Sequence, residues 1–193
     1  MEVYDRNMNY LRNIHHNTDH SDLAVDQNGV EWLVVYNFQT GNGGISKVKL
    51  SDGYSVDLTG PQWNIGEHIS CQTRRVNWCI FSTIKYSTSG WLALEAELIK
   101  VYLDSTVTAP HIERLVHHRS DWAYADNPSS CPNLQYKSAG YWAQPSHTSS
   151  RDGSEVIFGS TWGQNCFIES YLINLGSSSD VVPPAAPTGL SVS

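Results

Sequence analysis

Eight histidines stand in a chain of 193 residues, and three of them open short polar segments. These are His20 in HSDLAVD, His68 in HISCQ and His147 in QPSHTS, the last following Gln144. Neutral imidazole nitrogen together with amide oxygen suits a borderline metal such as Mn, Fe, Ni or Zn. The same groups can instead hydrogen-bond across to a neighbouring element and lock it in place, or contact a ligand directly. All three uses are open at this point. Two further clusters, IHHNTDH (His15, His16, His20) and VHHRSD (His117, His118), read as solvated loop histidines. Their shared ending, at Asp19 and Asp121, reads as repeat homology and not as a metal motif.

Side chains so far apart in sequence meet only if strands bring them together, and the composition favours strands. Charged residues make up 16% and aromatics 11%, with seven Trp and ten Tyr against two Met. Such chains build short strands and tight turns. Net charge is −7, with basic residues scattered, which argues against nucleic acid or an anionic membrane as a partner. No apolar run approaches a membrane span, and the opening MEVYDRNMNYLRN lacks the apolar middle of a signal peptide. The four cysteines (Cys71, Cys79, Cys131, Cys166) contain no Cys-x-x-Cys pair, so a zinc site is not indicated. Cys71 and Cys79 flank a plausible hairpin. Whether they pair or stay as buried thiols is open.

Three units share one grammar. The first, from about His20 to Gly60, contains HSDLAVD, EWLVVYN, GISKVKL and YSVDLT with turn residues between them. The second, from about His68 to His118, contains HISCQ, WCIFSTI, ALEAELIKVYL and IERLVHH. The third, from about Gln144 to Leu175, has three strands: QPSHTS, EVIFGST and IESYLINL. Ahead of them, EVYDRN and NYLRNI read as the outer two strands of a preceding unit. The stretch from Trp91 to Leu103 has good helix formers; its β-formers favour strand from Glu97 onward. A Gly-x-Glu phrase followed by apolar residues recurs at Gly29 and Gly153. Units of this kind, each an antiparallel sheet that buries its faces against the next, predict a partial all-β β-propeller of about three four-stranded blades. A sandwich or jelly roll is the competing architecture. The propeller portion spans residues 1–175. Residues 176–193, GSSSDVVPPAAPTGLSVS, read as a Ser/Pro linker.

Ser150–Phe158, SRDGSEVIF, resembles the WD40-like propeller repeat of TolB-type proteins. LVHHRSDW (Leu115–Trp122) followed by QPSH (Gln144–His147) resembles the closing blades of secreted bacterial propellers related to oligogalacturonate lyase. PAAPTGLSVS at the end resembles the first strand of a fibronectin type III domain. The lyase resemblance covers roughly residues 15 to 175. It implies a secreted, multidomain parent protein and a divalent metal, manganese, held by histidines and a glutamine at the starts of inner strands. His68, Gln144 and His147 match those positions. Where the family pattern has a further histidine, this chain has Ser149.

The resemblance also implies a chemistry. β-Elimination from a uronate needs a cation against the carboxylate, a base for the C5 proton and an acid for the leaving oxygen. The cation would be that metal or Arg119, and the base His20 or His117. Loop aromatics offer another use: Trp122, Tyr124, Tyr141 and Trp142 are candidates for stacking on sugar rings, or for packing between blades. Trp32 and Trp78 read as core. The long segment from Asp121 to Gly140 is the best candidate for a functional insertion. Ser149, the absent blades and the linker favour a non-catalytic, carbohydrate- or protein-binding piece of a secreted propeller, with no resident cofactor. A metal-dependent polysaccharide lyase and a purely architectural stack are the alternatives. Expected partners are polysaccharide or oligosaccharide, and either the remaining blades or a second copy.

Overall fold

The computed structural model describes residues 2–14, 20–36, 44–60, 66–71, 77–84, 95–121, 124, 129–131, 143–163 and 166–176. Every element among them longer than a single turn is a strand. The first sheet pairs β1 (Glu2–Tyr4) with β2 (Tyr10–Asn13). The second contains β3 (Ser21–Val25), β4 (Glu31–Tyr36), β5 (Ile45–Lys49) and β6 (Ser55–Asp57). The third contains β7 (Gly66–Ser70), β8 (Trp78–Thr83), β9 (Glu97–Tyr102) and β10 (Ile112–His117). The fourth contains β11 (His147–Ser149), β12 (Glu155–Ser160) and β13 (Glu169–Asn174). Each sheet is an antiparallel meander in which sequence neighbours pair. The stretch around Leu98 is strand from Glu97, as its β-formers indicate. No closed ring of sheets is present among the described residues.

Burial explains why the second strands differ in pattern. Strand β4, EWLVVY, is buried at five successive positions because both its faces are covered. Val34 and Tyr36 join Ala24 and Ile45 against Phe81, Ile99 and Val101 of the third sheet. Leu33 and Val35 turn the other way, against Ile14 and Val3 of the first. A side chain such as Val34 or Phe81, wholly out of water, contributes about 1.5–3 kcal/mol. The third sheet is likewise covered twice: Ile80 and Leu98 turn from it towards Val156 and Phe158 of the fourth. Strand β12 alternates instead. Val156 and Phe158 are buried, whereas Ile157 faces solvent. Four sheets therefore stack face to face in chain order, with cores in the three gaps. Trp32 is core; Trp78 is partly buried at the third gap.

The repeated Gly-x-Glu phrase forms the connection between first and second strands in two sheets. Gly29 and Gly153 sit at φ +77° and +72°, where a side chain is strained. Each donates its N–H to the residue three back, Asp26 O and Ser150 O, at 2.9 Å. The two turns differ by one residue. Asp26 N–H closes on Val30 O, so Glu31 is already in the ladder opposite Val25. Ser150 N–H closes on Glu155 O, and the ladder begins at Val156 opposite Ser149. Asp26 also organises its turn, accepting from Asn28 N at 2.8 Å, Val30 N at 3.0 Å and Trp32 Nε1 at 3.0 Å. In the third sheet the same connection carries a disulfide, Cys71–Cys79. A second disulfide, Cys131–Cys166, ties the long segment before β11 to the segment between β12 and β13. No cysteine among the described residues is free.

Candidate functional site

The first strands β3, β7 and β11 lie side by side, one from each of three sheets. His20 stands immediately before β3, His68 is the third residue of β7, and His147 opens β11. Register decides which way they face. Ser70 lies opposite Ile80, and Ser149 opposite Val156. Ile80 and Val156 both enter the gap between the third and fourth sheets. Ser70 on one strand, and His147 and Ser149 on the other, therefore face that same gap; His68 lies at a register shift between Gly66 and Ile69, near enough to His147 to feel its charge. His20 reaches His68 from the other side, ring edge to ring face with centroids 5.1 Å apart.

The electrostatics of this cluster follow from burial. Burial pushes His68 down to about 4, with further depression from His20 and His147; a side-chain hydrogen bond with Gln144 acts the other way. His68 is therefore neutral at pH 7, and its Nε2 is buried without a hydrogen-bond partner. The Oγ atoms of Ser70 and Ser149 are likewise buried and unpartnered. His147 behaves differently. Its Nε2 lies 3.0 Å from Ile80 O across the sheet gap, and its Nδ1 lies 3.3 Å from Pro145 O. Burial lowers its pKa, opposed by those carbonyls and by Asp22. Asp22 is itself a tie between sheets, its Oδ2 accepting from Cys71 N–H at 2.8 Å. His147 and Asp22 thus act as locks between neighbouring sheets, one of the three uses open from sequence.

This geometry divides the residues that a divalent metal would need. His147 has both nitrogens turned to backbone carbonyls, whereas Gln144 hydrogen-bonds His68. Among the described residues no group of three or more His, Cys, Asp or Glu is arranged to hold a metal. Of His68, Gln144 and His147, it is His68 that keeps a buried side-chain atom, Nε2, without a hydrogen-bond partner.

The other sequence candidates lie elsewhere. His117 ends the outermost strand of the third sheet, its Nε2 3.4 Å from Glu97 Oε1. Glu97 is almost wholly buried and is gripped by both Nε and Nη2 of Arg114. Arg119, at φ +55°, holds its guanidinium 5.5 Å from the Trp162 ring. That ring also stacks on Tyr171 at 4.8 Å. Tyr124 is half-buried and donates its N–H to Asp121 Oδ1 at 3.1 Å. Trp122, Tyr141 and Trp142 lie outside the described residues, as do His15, His16 and Asp19.

His118 corrects an expectation. It is not a solvated loop histidine but is 1% exposed. Ser120 N–H donates to its Nδ1 at 3.0 Å, so the ring hydrogen sits on Nε2 and goes to Thr83 O at 2.7 Å. Burial pushes this imidazole down to about 4. The physical reason is coverage: the fourth sheet lies over this segment, Ser160 Oγ donating to His118 O. A local signal existed only in the parity of the strand, which continues one residue past His117 into the sheet gap. Neither a family model, a curated protein nor a solved structure matches the chain, so its fold and candidate site rest on its own geometry.

Proposed function

We propose that the chain is an arc of a secreted β-propeller that binds a saccharide, without catalysis, where its first strands begin. Three sheets of one meander topology, stacked face to face with first strands adjacent, support the propeller reading over a two-layer sandwich. One observation carries the binding reading: His68, neutral and with a buried unpartnered Nε2, faces His20 and Gln144 from separate sheets. An imidazole and an amide both donate and accept, which matches the dual character of sugar hydroxyls. Among the described residues the cluster contains no fixed cation, so neutral hydroxyls fit it better than a uronate carboxylate. The groups an elimination would need are also dispersed. His117 is tied to Glu97 on an outer strand and Arg119 lies over Trp162, neither beside His20. Tyr124, and by sequence Trp122, Tyr141 and Trp142, are candidates for stacking on sugar rings. Two disulfides with no free cysteine among the described residues suit an oxidising, extracellular setting.

Calorimetric titration of chelator-treated protein with neutral and uronic oligosaccharides tests this reading. Binding of a neutral oligosaccharide that weakens at least tenfold in His68→Ala and Gln144→Ala, at unchanged melting temperature, is the expected outcome. Binding that requires a divalent metal, or release of an unsaturated uronate product, would overturn it.

A further inference from the structure

Three outer strands end the larger sheets, and two of them are protected against pairing with another chain. Strand β6 has only three residues. Strand β10 has six, but its register shifts between Arg114 and Val116. It also carries Glu113, bonded to Lys100, and Arg114, bonded to Glu97. Short length, a bulge and charge are the usual means of blunting a sheet edge. Strand β13 is neither short nor bulged, and its one charge, Glu169, stands at its very start. It runs six residues in unbroken register with β12, lacks Lys, Arg and Pro, and exposes Leu172 at 63%. It is also the third strand of its sheet, where the two preceding sheets have a fourth.

The direction of its amides can be read from one hydrogen bond. Leu175 N–H donates inward to Ser154 O. Alternation then turns the N–H and C=O of Ile173 and Tyr171 towards β12, and those of Ser170, Leu172 and Asn174 outward. Among the described residues, no strand pairs with that outward side. The sequence of β13 is compatible with itself in antiparallel register. Centred on Leu172, it sets Leu172 opposite Leu172 of a second copy, Ser170 opposite Asn174, and Tyr171 opposite Ile173. Facing residues stay on the same side of the sheet, apolar meets apolar, and polar meets polar. Glu169, the one charge in the strand, falls opposite Leu175, so no like charges meet.

We propose that β13 is a self-association edge, through which two copies of the chain pair antiparallel about a two-fold axis at Leu172. The contact is isologous and closes at two copies. It joins the two three-stranded sheets into one and does not depend on the saccharide reading.

Leu172→Pro tests it cleanly. The N–H that proline removes points outward, and such positions on an edge strand tolerate proline. Leu172→Cys provides a second readout, since facing residues of an outward hydrogen-bonded pair lie about 5.5 Å apart at Cα, within disulfide reach. Light scattering should give twice the chain mass at high concentration, falling twofold on dilution and in Leu172→Pro at unchanged circular dichroism. Leu172→Cys should run as a covalent dimer that reducing agent splits. A single-chain mass at every concentration, a dimer indifferent to Leu172→Pro, or no covalent dimer in Leu172→Cys would each overturn the proposal.

Discussion

Acidification should unfold this protein through His118 before its carboxylates dominate. In the folded chain the ring is neutral, with Nδ1 accepting from Ser120 and Nε2 donating to Thr83 O. A proton on Nδ1 would abolish the first of these bonds and place a charge in a sealed sheet gap. Burial accordingly pushes the folded pKa to about 4 from an ordinary 6.5. Because the folded value lies below the unfolded one, the unfolded chain takes up the proton first. Stability is fully present above about pH 6.5 and is lost as pH falls towards 4. The difference of about 2.5 pKa units corresponds to about 3 kcal/mol, most of it lost by pH 4.5. Urea unfolding followed by tryptophan fluorescence at pH 7.5 and 4.5 measures the change. His118→Gln, which keeps an amide donor and acceptor at the site, should be less stable at pH 7.5 yet lose about 3 kcal/mol less on acidification. His68 contributes in the same direction, but it is partly solvated and is common to both proteins, as are the carboxylates. Equal acid sensitivity in the two proteins would refute the assignment of the loss to His118.

Other outcomes follow from the same structure. Asp26→Ala strips acceptors from Asn28, Val30 and Trp32 Nε1, and should cost about 1–3 kcal/mol in urea unfolding. Burial raises the Asp26 pKa, but those three bonds and Lys47 outweigh it and leave the value lowered. Its stabilisation is therefore present above the ordinary carboxylate pKa and fades as pH falls through the folded value. The two disulfides close loops with separations of 8 and 35 residues. The loop-entropy relation then gives about 2.5 kcal/mol for Cys71–Cys79 and about 4 kcal/mol for Cys131–Cys166. Paired Cys→Ser variants should reproduce that order in chemical denaturation.

Much of the architecture was legible because strand chemistry is local. EWLVVY and EVIFGST announced strands through their β-formers, and the glycines at 29 and 153 announced the turns through the φ that only glycine adopts cheaply. Even the difference between a doubly covered strand and a one-sided one shows in the letters. Leu33 and Val35 fill the alternate positions of β4, whereas the run in β12 breaks at Gly159. The one-residue difference between the two turns was not legible, since both phrases read Gly-x-Glu. Only the cross-strand register separates Glu31, inside its ladder, from Glu155, just before its own.

For the candidate site the division is sharper. Histidines at the starts of three segments could be named from the sequence, because first strands of stacked meander sheets must lie together. What each imidazole does depends on groups distant along the chain. Ile80 O meets His147, Thr83 O takes His118, and among the described residues nothing takes His68 Nε2. The pairing of Cys71 with Cys79 was open for the same reason. Residue identity and alternation decided which elements form and which side each residue faces. Hydrogen-bond partners and desolvation, which belong to whatever another sheet brings alongside, were decided only when the sheets stacked.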